Sequence, residues 1–153
     1  MSDEECGFGS AERAAIEQRE QELRALEGLA GVERKAHEYE ACLAIIDSLR
    51  GTDRAIAETL HLVVMEEAPH LDPTAWYGFP AYAKDGKVIV FFQPVTKSSR
   101  RYGSIGFRDP SELDDGEMWP TVYAVTDMTD EVEQRLRRLV HKAAGSAGTP
   151  TTP

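Results

Sequence analysis

The sequence contains few of the residues on which disulfide-bonded, metal-stapled or membrane-spanning proteins depend. Only two of its 153 residues are cysteines, Cys6 and Cys42, and neither belongs to a Cys-x-x-Cys pair. A disulfide framework or a cysteine zinc site is therefore not expected, and Cys42 fits a small apolar residue buried in a helix. No apolar run approaches the roughly 20 residues that a membrane-spanning helix needs.

Motifs for known catalytic chemistries are also missing. The chain has no Gly-x-Ser-x-Gly elbow, no phosphate-binding loop and no dinucleotide-binding fingerprint. Its four histidines are scattered singly. Glu58 and His61 have the Glu-x-x-His spacing on one predicted helix, but a di-iron bundle needs a second such helix and two further glutamates. We therefore predict that the protein is not an enzyme.

The charge balance argues against nucleic acid and membranes as partners. The net charge is −10, and residues 1–67 hold 16 acidic against 7 basic residues, whereas residues 68–153 are close to balance. Such a chain repels phosphate backbones unless it has a compact basic patch, and the cluster near a predicted strand is only Lys97, Arg100 and Arg101. The acidic N-terminus lacks the basic and apolar regions of a signal peptide, so we expect a cytoplasmic protein.

Hydrophobic periodicity predicts three helices, then antiparallel strands, then a final helix that Thr129 caps. The first three helices are expected from the N-cap Ser10 to about Leu29, over about residues 33–49, and from the N-cap Thr52 to before Pro69. This order predicts an α+β fold: a curved antiparallel sheet of about four to five strands with helices mainly on one face, preceded by an N-terminal helical extension.

Composition divides the chain into three parts. We assign residues 1–32 to a tail and helix, residues 33–144 to the α+β domain and residues 145–153 to a disordered tail rich in Gly, Ser, Thr and Pro. The first helix has a sparse apolar stripe, so it is expected to be weakly protected or to pack against a second copy. The protein is accordingly expected to be a monomer or a weak homodimer.

The stretch from Trp76 to Gln93 is rich in aromatic residues and contains the most apolar run of the chain. Asp85-Gly86 divides it and predicts a two-residue hairpin with both residues at positive φ. The strand after it is apolar on both faces, which predicts helices on one face and a further layer or a pocket on the other. Six aromatic residues are candidates either for the lining of a ligand pocket or for the core: Trp76, Tyr77, Phe79, Tyr82, Phe92 and Trp119.

The same stretch carries a family resemblance. The segment Trp76-Tyr77-Gly78-Phe79-Pro80-Ala81-Tyr82, followed by Asp85-Gly86-Lys87-Val88 and an aromatic strand, resembles the YdhG-like family of domains of unknown function. Gly106-Phe107 and residues 113–120 are similar to its actinobacterial-type branch, and the resemblance covers about residues 7–143. It implies a small α+β domain. One bacillary member is described as a frataxin-like iron chaperone, so the resemblance also implies a role in handling iron.

An iron role would require exposed oxygen donors, because hard iron prefers carboxylates and a chaperone must release the ion again. The densest acidic patch is a loop with four carboxylates: Glu112, Asp114, Asp115 and Glu117. A solvated acidic surface loop is the simpler interpretation of the same four residues. The sequence leaves open an iron chaperone that binds iron weakly through this loop, a non-catalytic binding module whose aromatic pocket holds a small molecule or a partner peptide, and an enzyme without a known motif.

Overall fold

The structure, a computed structural model, describes residues 9–98 and 100–145, so Cys6 and most of both predicted tails lie outside the described residues. The helices are α1 (Ser10–Leu26), α2 (Gly31–Ser48), α3 (Gly51–Glu67) and α4 (Asp130–Ala144). The strands are β1 (Asp72–Trp76), β2 (Phe79–Lys84), β3 (Lys87–Gln93), β4 (Gly103–Phe107) and β5 (Val122–Val125). The predicted α+β fold is confirmed. None of the described helices is both long and apolar enough to cross a membrane.

The sheet is an antiparallel meander in which each strand pairs with its neighbours in the chain. Asp85 and Gly86 join β2 to β3 with φ angles of 53° and 81°, so the predicted hairpin turn is confirmed. A second turn of this kind joins β1 to β2 through Tyr77 and Gly78, with φ angles of 57° and 81°. The sequence pattern does not predict this second turn, because a bulky residue rarely adopts a positive φ.

The main core lies between one face of the sheet and the helices α2, α3 and α4. The sheet supplies alternate residues of β2, β3 and β4, all almost fully buried: Tyr82, Val90, Phe92, Ile105 and Phe107. The helices supply apolar residues that include Ile46, Leu60, Val64, Leu136 and Val140. Periodicity predicts these positions, but in α2 it also predicts Tyr39 and Leu43, which are each 39% exposed. Cys42 is also part of this core, as expected for a buried apolar residue. Burial of each large side chain contributes roughly 1.5–3 kcal/mol relative to exposure.

Charged side chains connect α3 to α4 beside this core. The guanidinium of Arg137 lies 2.7 Å from the carboxylate of Glu66, 3.3 Å from that of Glu67 and 2.8 Å from that of Glu133. Two carboxylates in the last turn of α3 oppose its helix dipole, and the cation offsets that unfavourable placement. These pairs are partly exposed, so their main effect is to fix how the two helices meet.

α1 lies apart from the main core, towards the outer face of the sheet. Among its described residues it buries only Leu26, in agreement with its sparse apolar stripe. Its N-cap is Gly9 rather than the predicted Ser10, and the Glu12 carboxylate accepts a hydrogen bond from the Gly9 amide at 3.0 Å. The helix also ends earlier than predicted, at Leu26. It is attached to the domain mainly by polar contacts at the β1–β2 turn.

Candidate functional site

A groove lies between the N-terminal half of α1 and the outer face of the sheet. Its volume is about 760 Å³, within the range of roughly 300–1,000 Å³ that small-molecule pockets occupy. Four aromatic side chains form its wall on the sheet side: Trp76, Tyr77, Phe79 and Phe91. Small side chains of α1 form the opposite wall: Ala11, Ala14 and Ala15. We call this space the aromatic groove.

The aromatic wall is ordered by contacts among its own rings. The ring centroid of Trp76 lies 4.8 Å from that of Tyr77 and 5.2 Å from that of Phe91, and Phe79 stacks on Phe91 at 6.1 Å. These distances are typical of favourable aromatic pairs. The guanidinium carbon of Arg108 lies 4.8 Å from the centre of the Trp76 ring, so a cation also covers part of this ring. These ring–ring contacts and the contact with Arg108 therefore fix the positions of the rings without a ligand.

Gly106 provides the space that the ring of Phe91 occupies. The two residues are paired between β3 and β4, and a Cβ atom at Gly106 would lie 2.5 Å from two carbons of that ring. Gly103 likewise leaves space for Phe92 on the core side, where a Cβ would lie 2.9 Å from the ring. Glycine within a strand is typical of sites where a neighbouring group approaches closely, and both positions fit that rule.

One carboxylate of α1 fixes the turn that carries Tyr77. Glu22 accepts hydrogen bonds from the amide of Tyr77 at 2.9 Å and from the amide of Gly78 at 2.7 Å. Arg19 contacts the same carboxylate at 3.1 Å and donates to the carbonyl of Ala75 at 3.2 Å. The Glu22 side chain is only 7% exposed, so these bonds replace water around a buried charge. They hold α1 beside β1 and thereby hold the two walls of the groove together.

A 3₁₀ turn, Val95–Lys97, forms the polar end of the groove. The Asp53 carboxylate accepts hydrogen bonds from the amides of Val95 at 3.0 Å and Thr96 at 3.3 Å, and from the Thr96 hydroxyl at 3.2 Å. Asp53 lies in the first turn of α3 and is buried. Thr52, predicted to cap this helix, is instead its second residue, and the neighbouring carboxylate binds the distant turn.

Two cations line the groove at this end, Lys97 and Arg100. The ammonium group of Lys97 donates to the carbonyl of Gly78 at 3.0 Å, which connects the 3₁₀ turn to the β1–β2 turn. Gln93, Thr96 and Ser98 add uncharged polar groups beside them. The groove therefore combines an apolar aromatic wall with a basic, polar end.

The six aromatic residues predicted to share a pocket are divided between the two faces of the sheet. Trp76, Tyr77 and Phe79 line the aromatic groove. Tyr82 and Phe92 do not, because they are 0% exposed and lie in the main core on the opposite face.

The sixth predicted residue, Trp119, and an aromatic residue outside the predicted set, Phe91, also differ from the prediction. Trp119 is half-buried and packs against the main core rather than lining the groove. Phe91 lines the groove although the predicted set omits it. Strict alternation along β3 places Phe91 and Phe92 on opposite faces, and this pattern was the available signal for choosing Phe91.

Tyr82 forms a buried polar contact within the core. Its hydroxyl lies 3.0 Å from Nδ1 of His61, and the thiol of Cys42 donates towards it at 3.8 Å. Burial raises the pKa of Cys42 to about 11 and raises the pKa of Tyr82 well above its usual value. Burial also lowers the pKa of His61. All three groups are therefore neutral near pH 7, which suits a satisfied core network better than a reactive nucleophile.

The four carboxylates predicted to bind iron are exposed side chains of one loop: Glu112, Asp114, Asp115 and Glu117. Leu113 is buried and anchors the loop, while the Glu112 amide donates to the carbonyl of Ala143 at 2.9 Å and its carboxylate lies beside Gly145. Within residues 9–98 and 100–145, no three His, Cys, Asp or Glu side chains form a group that could hold a metal ion. Iron binding by this loop stays a prediction.

Comparison with known proteins gives no match to a family model, to a curated protein or to a solved structure. The YdhG-like resemblance therefore also stays a prediction.

Proposed function

We propose that this protein is a non-catalytic binding module whose aromatic groove holds a small molecule with a flat apolar body. The supporting observation is that four ordered aromatic side chains border about 760 Å³ of space between the sheet and α1. Aromatic rings offer large, rigid apolar surfaces, and a flat molecule gains most from stacking on them. The facing alanines of α1 are too small to fill the space themselves.

Two other clefts fit this role less well. One, between α1, α2 and β1, has a volume of about 290 Å³ and no aromatic wall. Another, between α2 and α3, has a volume of about 490 Å³ and is bordered by several carboxylates. Two of these, Asp47 and Glu58, already bind Arg54 at 3.0 Å and 2.9 Å. The aromatic groove is larger than both and has the more distinctive chemistry.

A small molecule fits the groove better than an extended peptide. The strands β2 and β3 that contribute Phe79 and Phe91 each pair with a neighbour on both sides. Their backbone groups are therefore used. β1, which contributes Trp76, is an edge strand, but there the carbonyl of Ala75 already accepts from Arg19 of α1. Recognition would depend on side chains alone, which suits a compact ligand.

The uncharged fluorophore N-phenyl-1-naphthylamine tests the proposal, because its ring system matches the expected ligand. We expect saturable one-site binding in a fluorescence titration. A Trp119→Phe variant leaves Trp76 as the sole tryptophan, and its emission should be quenched as the probe binds. Trp76→Leu and Phe91→Leu should weaken binding by about five- to tenfold, as loss of a stacked ring of roughly 1 kcal/mol predicts.

The Trp119→Phe variant is also the matched control, since it removes an aromatic residue outside the groove and should leave the affinity unchanged. Unfolding midpoints of all variants establish that each is folded at the assay temperature. The proposal is overturned if the wild type shows no saturable binding, or if Trp76→Leu and Phe91→Leu bind as well as the wild type.

The iron hypothesis predicts the opposite pattern and is tested with a double variant of the acidic loop, Asp114→Asn with Asp115→Asn. Anaerobic calorimetry with ferrous iron at about 100 μM protein detects affinities down to that range. Iron handling would be favoured by two results together: saturable heat that the Asp114→Asn, Asp115→Asn double variant abolishes, and no binding of the naphthylamine. We expect this double variant to bind the naphthylamine like the wild type.

A further inference from the structure

The basic end of the aromatic groove indicates the charge of its ligand. Resting on the proposed function, we propose that the groove takes an amphiphilic anion, with its apolar body on the aromatic wall and one acid group at Lys97 and Arg100. Both cations line the groove, although the chain as a whole carries a net charge of −10. A cationic end on a strongly acidic protein selects for an anion by local attraction.

Lys97 and Arg100 both retain unused hydrogen-bond donors. Within the described part of the chain, neither Lys97 nor Arg100 lies in an ion pair with a carboxylate. Lys97 uses one of its three N–H donors on the Gly78 carbonyl. Of the nearby carboxylates, Glu12 lines the groove at the start of α1 and accepts from the Gly9 amide, and Glu22 accepts from two turn amides.

The position of Lys97 is fixed from two sides. Asp53 holds the 3₁₀ turn through the amides of Val95 and Thr96, and the bond to Gly78 holds the ammonium group itself. Both partners belong to the folded domain, so the cation is placed before a ligand arrives. A preorganised donor loses less entropy on binding than a freely moving surface lysine. This geometry distinguishes Lys97 from an ordinary solvated lysine.

The acid group is a carboxylate or a phosphate, since a lysine and an arginine bind both through charge-assisted hydrogen bonds. Its body must match the aromatic wall. A two-ring aromatic acid therefore serves as a model ligand, and the two acid types can be compared directly on the same ring system.

A matched pair of probes separates this inference from the proposed function. 8-Anilino-1-naphthalenesulfonate has the same ring system as N-phenyl-1-naphthylamine and adds a single sulfonate. We expect the wild type to bind the sulfonate about tenfold more tightly than the neutral probe, with the preference decreasing as salt is added. Lys97→Gln with Arg100→Gln should abolish the preference while changing the affinity for the neutral probe by less than about twofold.

The matched charge control removes one exposed lysine and one exposed arginine away from the groove, in Lys87→Gln with Arg138→Gln. This control should retain the preference. Competition against the bound sulfonate by 1-naphthoate and by 1-naphthyl phosphate then identifies the acid, since the stronger competitor carries the preferred group.

Any of three results would overturn the inference. The wild type could bind the two probes equally, or the Lys97 and Arg100 double variant could keep the preference. Neutral 1-naphthol could also compete as strongly as both acids. In all three cases the groove still binds the neutral probe, so the proposed function stands. Absence of binding of both probes overturns the proposed function instead.

Discussion

The carboxylate of Glu22 accepts a hydrogen bond from the amide of Gly78 at 2.7 Å, across 56 positions of sequence. Its other oxygen accepts from the amide of Tyr77, a bulky residue at a φ of 57°. Residues other than glycine rarely adopt this conformation, so the turn depends on such external bonds. The helix that covers the aromatic groove thus also supports the turn that carries part of its wall.

Replacing this carboxylate should loosen both elements. In Glu22→Gln one oxygen becomes an NH₂ group that faces an amide donor, so one turn amide loses its partner. We expect the free energy of unfolding to fall by about 1–3 kcal/mol, the cost of an unsatisfied buried group. Hydrogen exchange should accelerate at Tyr77, Gly78 and throughout α1. Glu20→Gln, an exposed change on the same helix, should alter neither quantity, and equal exchange rates in the two variants would contradict the assigned role.

The β2–β3 hairpin should be sensitive to the residue at Gly86. Its φ of 81° lies in the left-handed region, where a β-branched side chain is strained. Gly86→Val should lower the free energy of unfolding by about 1–2 kcal/mol. Gly86→Asn should cost less, because asparagine tolerates this region. No atom lies within 4 Å of the Cβ position there, so backbone strain rather than crowding is measured, and equal urea midpoints for the two variants would argue against it.

Features that depend on local sequence could be predicted. The Asp85-Gly86 turn follows from two adjacent residues, and the cap of α4 follows from Thr129, whose hydroxyl accepts from the Val132 amide at 3.2 Å. The division of Phe91 and Phe92 between the two faces of β3 also follows from alternation alone.

Features that depend on distant partners could not be predicted. The sequence alone predicts that Glu22 is an ordinary surface glutamate of a helix, whereas in the structure it binds the amides of the Tyr77-Gly78 turn. Asp53 reads as a helix-start residue, yet its carboxylate binds a turn 42 positions away. Both contacts are essential to the groove, one at its wall and one at its basic end. A single sequence has no pattern that pairs such residues, because spacing and periodicity reveal only contacts between residues close in the chain.

A side chain at Gly106 should disturb the groove by displacing the ring of Phe91 from its wall. Gly106→Ala places a methyl group where the Phe91 ring lies, at 2.5 Å, so the ring must move towards the groove. We expect the free energy of unfolding to fall by about 1–3 kcal/mol from overpacking. The affinity for the naphthylamine probe should fall as well. Gly9→Ala is the control, since no atom lies within 4 Å of its Cβ position. Unchanged probe binding in Gly106→Ala would show that Phe91 does not shape the groove.

The contact between His61 and Tyr82 predicts a pH dependence of stability. Burial lowers the pKa of His61 from its usual 6.5, so the unfolded state takes up a proton at a higher pH than the folded state. The contribution of neutral His61 is therefore fully present above pH 6.5 and is lost as the pH falls through the lower pKa of the folded protein. The free energy of unfolding should decrease between pH 6.5 and pH 5.5, with a slope below about 1.4 kcal/mol per pH unit, the limit for one proton.

Urea unfolding of wild type and His61→Gln at these two pH values measures the decrease in the free energy of unfolding that His61 causes. Glutamine keeps a polar group near the Tyr82 hydroxyl but does not titrate, so His61→Gln should have the smaller decrease between the two pH values. His37→Gln removes an exposed histidine from α2 and should keep the wild-type decrease. An identical decrease in wild type and His61→Gln would mean that the half-buried histidine does not couple protonation to folding.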